Sequence, residues 1–217
     1  KLFEPVKDLL HIISEGGSLI FQKEECIYSQ ILQKEVCRQI IDDARKIEPC
    51  DILVCGKKHA YATSEDSEMY RWISDSYGFD IQAVGDLQKN ISDDIVKISL
   101  YHHNMVEQLT KDWFRPKWEN KVRLNLAGIQ WLDCVPKEAG KGTAVAFLQG
   151  HLQITPEETC VFGDNENDIV MMQRAKYSFA VANAREEVKR AASRECGPYW
   201  EDGVLSQLKK IVSQQEK

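Results

Sequence analysis

Cys160-Val161-Phe162-Gly163-Asp164-Asn165-Glu166-Asn167-Asp168-Ile169 is the stretch whose reading decides the fold. A short apolar run, Thr159 to Phe162, ends in a glycine turn, and two aspartates four positions apart open a helical pattern over Ile169 to Ala175. In an open α/β sheet, ligands bind at the carboxyl ends of the strands. Carboxylates placed there suit Mg²⁺, which takes one or two protein carboxylates together with waters and phosphate oxygens. Acidic residues also cap helices and suit the helix dipole. Capping accounts for one or two of these side chains, and less well for four groups able to bind metal or phosphate. An EF-hand loop is excluded, because Ile169 stands where its glycine is needed and Ala175 where its bidentate glutamate belongs.

Upstream, Gly140-Lys141-Gly142-Thr143 opens a helix running to Leu152. A lysine between glycines at a helix N-terminus brings an ammonium, free N–H groups and the positive dipole end together, as a phosphate clamp does. It is not a Walker A loop, which needs glycine at Val135 and Ser or Thr at Gly142. Downstream, Tyr177 to Val181 reads as a strand, Arg185 to Ala192 as a helix, and the last helix carries Val204, Leu205, Leu208, Ile211 and Val212 on one stripe. Strands alternating with helices imply a parallel sheet.

Toward the N-terminus the rhythm differs. His11-Ile12-Ile13, the turn Glu15-Gly16-Gly17 and the strand Leu19-Ile20-Phe21 come first. Helical spacing follows over Lys34 to Ile47, with a buried-type strand at Ile52 to Cys55 and a second helix at Glu65 to Tyr77 carrying Met69, Trp72 and Ile73 on one face. Ile95 to His102 alternates, with Ile95, Lys97, Ser99 and Tyr101 opposite Val96, Ile98 and Leu100. A helix over Met105 to Phe114 and a half-buried strand at Val122 to Leu126 complete this part. We expect two units: an α/β core formed by residues 1–26 and 133–217, and an inserted α+β domain over residues 27–132, with crossings near Ile27 and Val135.

Composition narrows the classes further. A net charge of −6 argues against a nucleic-acid partner held by phosphate neutralisation. Apolar runs such as Ile52-Leu53-Val54-Cys55 fall far short of the ~20 residues of a membrane span. Seven scattered cysteines without a C-x-x-C pair fit a reducing compartment, the cytoplasm, better than a disulfide framework. The five histidines offer no zinc-type spacing. Lys1 to Ile13 is no secretory signal, since Lys7, Asp8 and His11 interrupt its apolar stretch.

The ordered set of motifs resembles the haloacid dehalogenase (HAD) superfamily, in its Cof-type, sugar-phosphatase-like branch (subclass IIB). That branch reads KGxAL, GDxxNDxxM, NA followed by VK, and DGV. Here stand Lys141-Gly142-Thr143-Ala144-Val145, Gly163 to Asp168 with Met171, Asn183-Ala184 with Val188-Lys189, and Asp202-Gly203-Val204. Ile12 to Ile20 is similar to the family's strand–Asn-Gly–strand, with Gly16 in place of Asn. The resemblance implies a Rossmann-like core with a parallel sheet and an inserted α+β cap that closes over the site and sets specificity. It implies Mg²⁺-dependent hydrolysis of small phosphate esters, sugar phosphates foremost, through an aspartyl-phosphate. Lys141 would bind the phosphoryl group and hold the nucleophile's charge, Asn167 would hydrogen-bond the phosphate, and Asp164 and Asp168 would serve the metal. Asn183 would support that loop or simply end a strand. His59, Tyr61, His102, His103, Trp113, Trp118 and Trp131 are cap candidates for substrate contact, most of the tryptophans being core.

The family's DxDGT nucleophile motif and its Ser/Thr phosphate-binding motif are not found in the sequence, and Asp42-Asp43 and Asp93-Asp94 lack the strand–turn context. The expectation is a partial sequence of a longer phosphatase whose first strands are missing, this chain alone being inactive. The alternatives are a non-catalytic phosphate- and metal-binding member, and a phosphomutase. The expected partner is a small phosphorylated metabolite, with no nucleic acid and no membrane.

Overall fold

The computed structural model describes residues 3–77 and 80–215. The outer ends of the expected core, residues 1–2 and 216–217, lie outside them. Contacts gather the chain into two compact units, Lys1–Ala139 and Gly140–Lys217.

In the first unit a short 3-10 turn, Glu4–Leu9, leads into an antiparallel meander of β1 (His11–Ser14), β2 (Leu19–Gln22) and β3 (Glu25–Ser29). The β1–β2 turn holds Glu15, Gly16 and Gly17 at φ of 50°, 67° and 99°. The two glycines enter the left-handed region freely, whereas Glu15 does so at a cost of about 1 kcal/mol.

A six-stranded sheet follows, in the order β6-β5-β4-β7-β9-β8. It comprises β4 (Asp51–Gly56), β5 (Ala60–Ala62), β6 (Ile81–Ala83), β7 (Ile95–Tyr101), β8 (Val122–Ala127) and β9 (Trp131–Pro136). Only the β5–β6 pair is parallel. Ile52, Val54, Ile98, Leu100, Leu132 and Cys134 form one core with α1 (Lys34–Ala44) and a helical run from Val106 to Trp118. A second core joins Leu53, Cys55, Val96 and Tyr101 to Leu19 of β2 and to Met69 and Ile73 of α2 (Glu68–Tyr77).

Two departures from the sequence pattern have local causes. Val96 leaves the face of Ile98 and Leu100 because the β4–β7 register shifts between Cys55 and Gly56, and a one-residue slip turns a side chain over. The helix expected to end at Phe114 runs from α3 (Val106–Leu109) through a π turn, Thr110–Phe114, into α4 (Arg115–Trp118). Pro116 has no N–H and its ring would strike the carbonyl of Asp112, which the widened turn relieves. Trp118 is thereby fully buried, its indole N–H donating to Asp43 at 3.1 Å, while Lys46 and Lys117 neutralise that buried carboxylate.

The second unit begins with α5 (Lys141–Leu152) and holds a parallel sheet ordered β10-β11-β12. Its strands are Cys160–Gly163, Tyr177–Val181 and Arg194–Cys196, with α6 (Ile169–Met172), α7 (Glu186–Ala191) and α8 (Gly203–Gln215). Val161, Met172, Ala180, Val181, Ala184 and Val188 form its core, with Ile169, Met171 and Val204 packed against them. The α8 stripe is only partly used: Val204 and Ile211 are half-buried, whereas Leu205, Leu208 and Val212 are exposed. Among the described residues no helix is long and apolar enough to cross a membrane.

Candidate active site

At the carboxyl end of β10, Gly163 leads into the acidic loop. A Cβ on Gly163 would lie 2.5 Å from the Cβ of Asp168, so only glycine lets that carboxylate fold back under the turn. There Asp168 Oδ2 accepts from the backbone N–H groups of Asp164 at 2.9 Å and Asn165 at 3.1 Å, and Asn165 Oδ1 accepts from the Glu166 N–H at 2.9 Å. This is a reciprocal cap at the entry to the following helix. The other Asp168 oxygen accepts from Lys141 Nζ at 2.5 Å, and the same ammonium lies 3.4 Å from Asn167 Oδ1.

Lys141 reaches the loop because α5 packs close against α6. A Cβ on Gly142 would meet the carbonyl oxygen of Val170 at 2.4 Å, so the first turn of α5 sits nearly on that backbone. Asp168 is only 3% exposed, whereas Asp164 and Asn167 face solvent. The four residues singled out from the sequence therefore come together in one loop and the helix start above it.

They divide by task. Asn165 and Asp168 cap the loop, as the dipole and orphan N–H groups of a helix start require. Asp164 has no such duty: its carbonyl accepts from the Arg185 N–H at 3.1 Å, but among the described residues no hydrogen bond or ion pair engages its carboxylate. Asn183 turns elsewhere, its Oδ1 accepting from the Tyr199 N–H at 3.2 Å and tying the end of β11 to the segment before α8.

The charge balance bears on what the loop can hold. Asp164, Glu166 and Asp168 face Lys141 and Arg185, and Arg185 lies 3.4 Å from Glu166. A phosphate dianion alone would meet uncompensated carboxylate charge here. A divalent cation offsets that charge, and the donors fit one that keeps most of its waters: Asp164 has a free carboxylate, whereas both oxygens of Asp168 are engaged. Among the described residues no group of three or more His, Cys, Asp or Glu side chains is placed to hold a metal alone. Mg²⁺ is the ion that tolerates so thin a protein shell, completing it with water and phosphate oxygens.

The aromatic and histidine candidates of the first unit have mixed fates. Trp118 is core. His102 is buried, its Nδ1 accepting from the N–H groups of Asn104 and Met105 ahead of α3. His59 pairs with Asp80 and His103 with Glu68, each at 2.9 Å, and Trp113 is exposed. Tyr61 donates to Asp93, and burial together with that carboxylate pushes its phenol up to about 12. Trp131 is half-buried and stacks on Trp72, with ring centroids 6.0 Å apart.

Sequence reasoning passed over a polar cluster in this unit. Lys97 Nζ lies 2.8 Å from Glu15 Oε2 and 3.7 Å from Asp133 Oδ2, and the Ser99 hydroxyl donates to Asp133 Oδ1 at 2.6 Å. Its partners are remote in sequence and make no motif. The available signal was Lys97 and Ser99 alternating on one face of a strand rich in β-branched and apolar residues.

An acidic loop at the end of a parallel strand, reached by a lysine from a neighbouring helix start, brings an ammonium and carboxylates together on an α/β fold. The family profile of haloacid dehalogenase-like hydrolases matches residues 1–208, and the chain belongs to that family. It is 23% identical over 211 residues to the Escherichia coli 5-amino-6-(5-phospho-D-ribitylamino)uracil phosphatase YbjI, covering 97% of this chain and 77% of that protein. A crystal structure from Eubacterium rectale matches with a TM-score of 0.85 and 37% identity, over 96% of this chain and 79% of that one. A sugar phosphatase of HAD subclass IIB shares the fold, with a TM-score of 0.78 and 21% identity over 96% of this chain and 79% of its own. Six further curated relatives are matched over less than two thirds of their own length.

Proposed function

We propose that the protein takes part in Mg²⁺-dependent hydrolysis of small phosphate monoesters, as a Cof-type, subclass IIB member working in the cytoplasm. One observation carries this reading: Asp164 and Asn167 stand exposed beside Lys141, free of the capping work that occupies Asn165 and Asp168. Phosphoryl transfer asks a protein mostly for positioning and charge stabilisation. Lys141 neutralises and orients the phosphoryl oxygens, Asn167 hydrogen-bonds them through its side-chain amide, and Asp168 holds both the lysine and the loop. Mg²⁺, when bound, supplies the charge that offsets the acidic loop, with Asp164 as the carboxylate free to hold it and Asp168 supporting through its surroundings. No residue of this chain is assigned as the nucleophile of an aspartyl-phosphate route. Residues 27–132 are taken as the cap, and 1–26 with 133–217 as the core.

Two findings support the compartment and substrate class. All seven cysteines are free thiols. The curated Escherichia coli relative is named for a phosphorylated ribityl compound, which favours monoesters of small polyol-like alcohols. The test is phosphate release from a panel of phosphomonoesters, with and without Mg²⁺, by the complete protein that carries this sequence and by its Asp164→Asn variant. Mg²⁺-dependent release that the substitution abolishes is expected; release unchanged in Asp164→Asn overturns the metal assignment.

A further inference from the structure

A cavity of about 240 Å³ lies in the first unit, on the side of the six-stranded sheet that α1 covers, and uses none of the residues of the acidic loop. Its floor is apolar: Leu32, Cys37, Ile41, Val54 and Leu87 are buried there, with Ile91 half-buried beside them. Hydrogen bonds fix its walls. The Leu32 N–H donates to the Ile95 carbonyl at 2.8 Å, and the Gln88 side-chain amide donates to the Arg38 carbonyl at 3.0 Å and to Asp42 Oδ1 at 2.8 Å. At the rim stand exposed groups of both signs, Lys34, Arg38 and Asp94. Among the described residues no ion pair or hydrogen bond engages the Lys34 ammonium, the Arg38 guanidinium or the Asp94 carboxylate, although all three line one cavity. The other charges of the lining are in use. Lys89 lies 3.2 Å from Asp86, and Asp93 accepts from the N–H groups of Lys58 at 2.9 Å and Asp94 at 2.8 Å and from the Tyr61 hydroxyl at 3.2 Å.

The charges on α1 run against its own dipole. Lys34 and Arg38 stand in the first half of the helix, at its positive end, and Asp42 and Asp43 near its carboxyl end, where the last turn has no basic residue. Lys34 and Arg38 are also one turn apart, a spacing at which like charges repel. Glu35, the acid of the first turn, meets neither cation and accepts from the Gln39 amide at 2.8 Å. Local rules are broken in this way where a site needs the offending groups. A carboxylate placed between Lys34 and Arg38 relieves both repulsions, and a guanidinium can grip it with two parallel hydrogen bonds. Asp94 asks for the opposite charge at the same cavity. A simple anion leaves Asp94 unanswered, and a simple amine leaves the two cations so. A molecule carrying both an ammonium and a carboxylate on an apolar body answers all three. The cavity has the liquid volume of ~8 waters, which suits a body the size of valine or leucine.

We infer that this cavity binds a free α-amino acid with a branched apolar side chain, its carboxylate on Arg38 and Lys34, its ammonium on Asp94 and its side chain on Leu32, Leu87 and Ile91. The site lies wholly within the first unit and does not rest on the function proposed above. It is tested by calorimetric titration of the complete protein that carries this sequence with leucine. Isocaproate, which is leucine without the ammonium, and isoamylamine, which is leucine without the carboxylate, are titrated in parallel. Leucine should bind saturably, and each analogue at least tenfold more weakly. Arg38→Gln should weaken leucine and isocaproate at least tenfold and leave isoamylamine unchanged. Asp94→Asn should weaken leucine at least tenfold and leave isocaproate unchanged. Both side chains are exposed, so the substitutions leave the fold in place; Lys34→Gln, which should weaken leucine severalfold, gives a third variant. No saturable heat from leucine, equal affinity for the three probes, or leucine binding unchanged in Arg38→Gln or Asp94→Asn would overturn the inference. The two proposals fail separately: leucine binding without phosphate release removes only the function proposed above, and Mg²⁺-dependent release without leucine binding removes only this site.

Discussion

Replacing Asp168 by asparagine probes the loop at its most connected atom pair. The carboxylate serves three donors: Lys141 Nζ at 2.5 Å and the N–H groups of Asp164 at 2.9 Å and Asn165 at 3.1 Å. A carboxamide has one oxygen. Turned to the backbone, it aims an NH₂ at the ammonium; turned to the lysine, it aims that NH₂ at two N–H groups. A hydrogen bond to a charged group is worth about 1.5–3 kcal/mol, and Lys141, whose side chain is 35% exposed, recovers some of it from water. The expected loss is therefore about 2 kcal/mol, below the ~3–5 kcal/mol for breaking a buried pair outright, because the carboxamide keeps part of the bonding. Asp168→Ala, which satisfies none of the three donors, should lose about 3–4 kcal/mol. Because the chain has two compact units, the reading belongs to the second one. Amide exchange of Asp164 and Asn165 should quicken roughly thirtyfold in Asp168→Asn, by the tenfold-per-1.4 kcal/mol relation. Exchange within a factor of two of the parent protein would show that the carboxylate does not organise the loop.

Other perturbations have equally definite outcomes. Gly142→Ala drives a Cβ to 2.4 Å from the Val170 carbonyl oxygen and should lower stability by about 1–3 kcal/mol, whereas Gly150→Ala, with nothing within 4 Å, should raise it by up to ~1 kcal/mol. Thermal midpoints that move alike would contradict the close helix packing. Burial raises the Asp43 pKa, but Lys117, Lys46 and Trp118 outweigh it and bring it below 3.8. Its contribution is therefore full above that value and is lost as pH falls through the lowered one, so Asp43→Asn should flatten the acid limb of a stability-versus-pH curve. Burial pushes Cys37 up to about 11 and Cys50 and Cys55 up to about 12. Ellman's reagent at pH 8 should spare these three in the native protein and titrate all seven thiols after denaturation; rapid native labelling of all seven would refute their burial.

Much of this was legible in the sequence where local chemistry repeats with the backbone period. The strand–glycine–helix rhythm located β10, β11 and α5, and the spacing of Asp164, Asn167 and Asp168 placed three site residues in one loop before any contact was known. What a single sequence could not show is division of labour. Asp168 and Asp164 look alike in a motif, yet one is spent on two amides and a lysine while the other is left free. Nor could periodicity foresee Val96, which is the extra residue of a bulge where β7 pairs with β4, or the π turn that carries the third helical run past Pro116 to Trp118. The Glu15–Lys97–Asp133 row was invisible for a different reason: tertiary pairing alone joins a turn and two strands that lie far apart in the chain.

The central claim is that Lys141 and Asp164 bind a phosphoryl group together with a divalent cation, and calorimetric titration with orthophosphate tests it most directly. The protein should bind orthophosphate in the presence of Mg²⁺ and not in its absence. Lys141→Ala and Asp164→Asn should each weaken that binding at least tenfold, about 1.4 kcal/mol. Phosphate binding that ignores Mg²⁺, or that survives both substitutions unchanged, would contradict the assignment of this loop as the phosphoryl site.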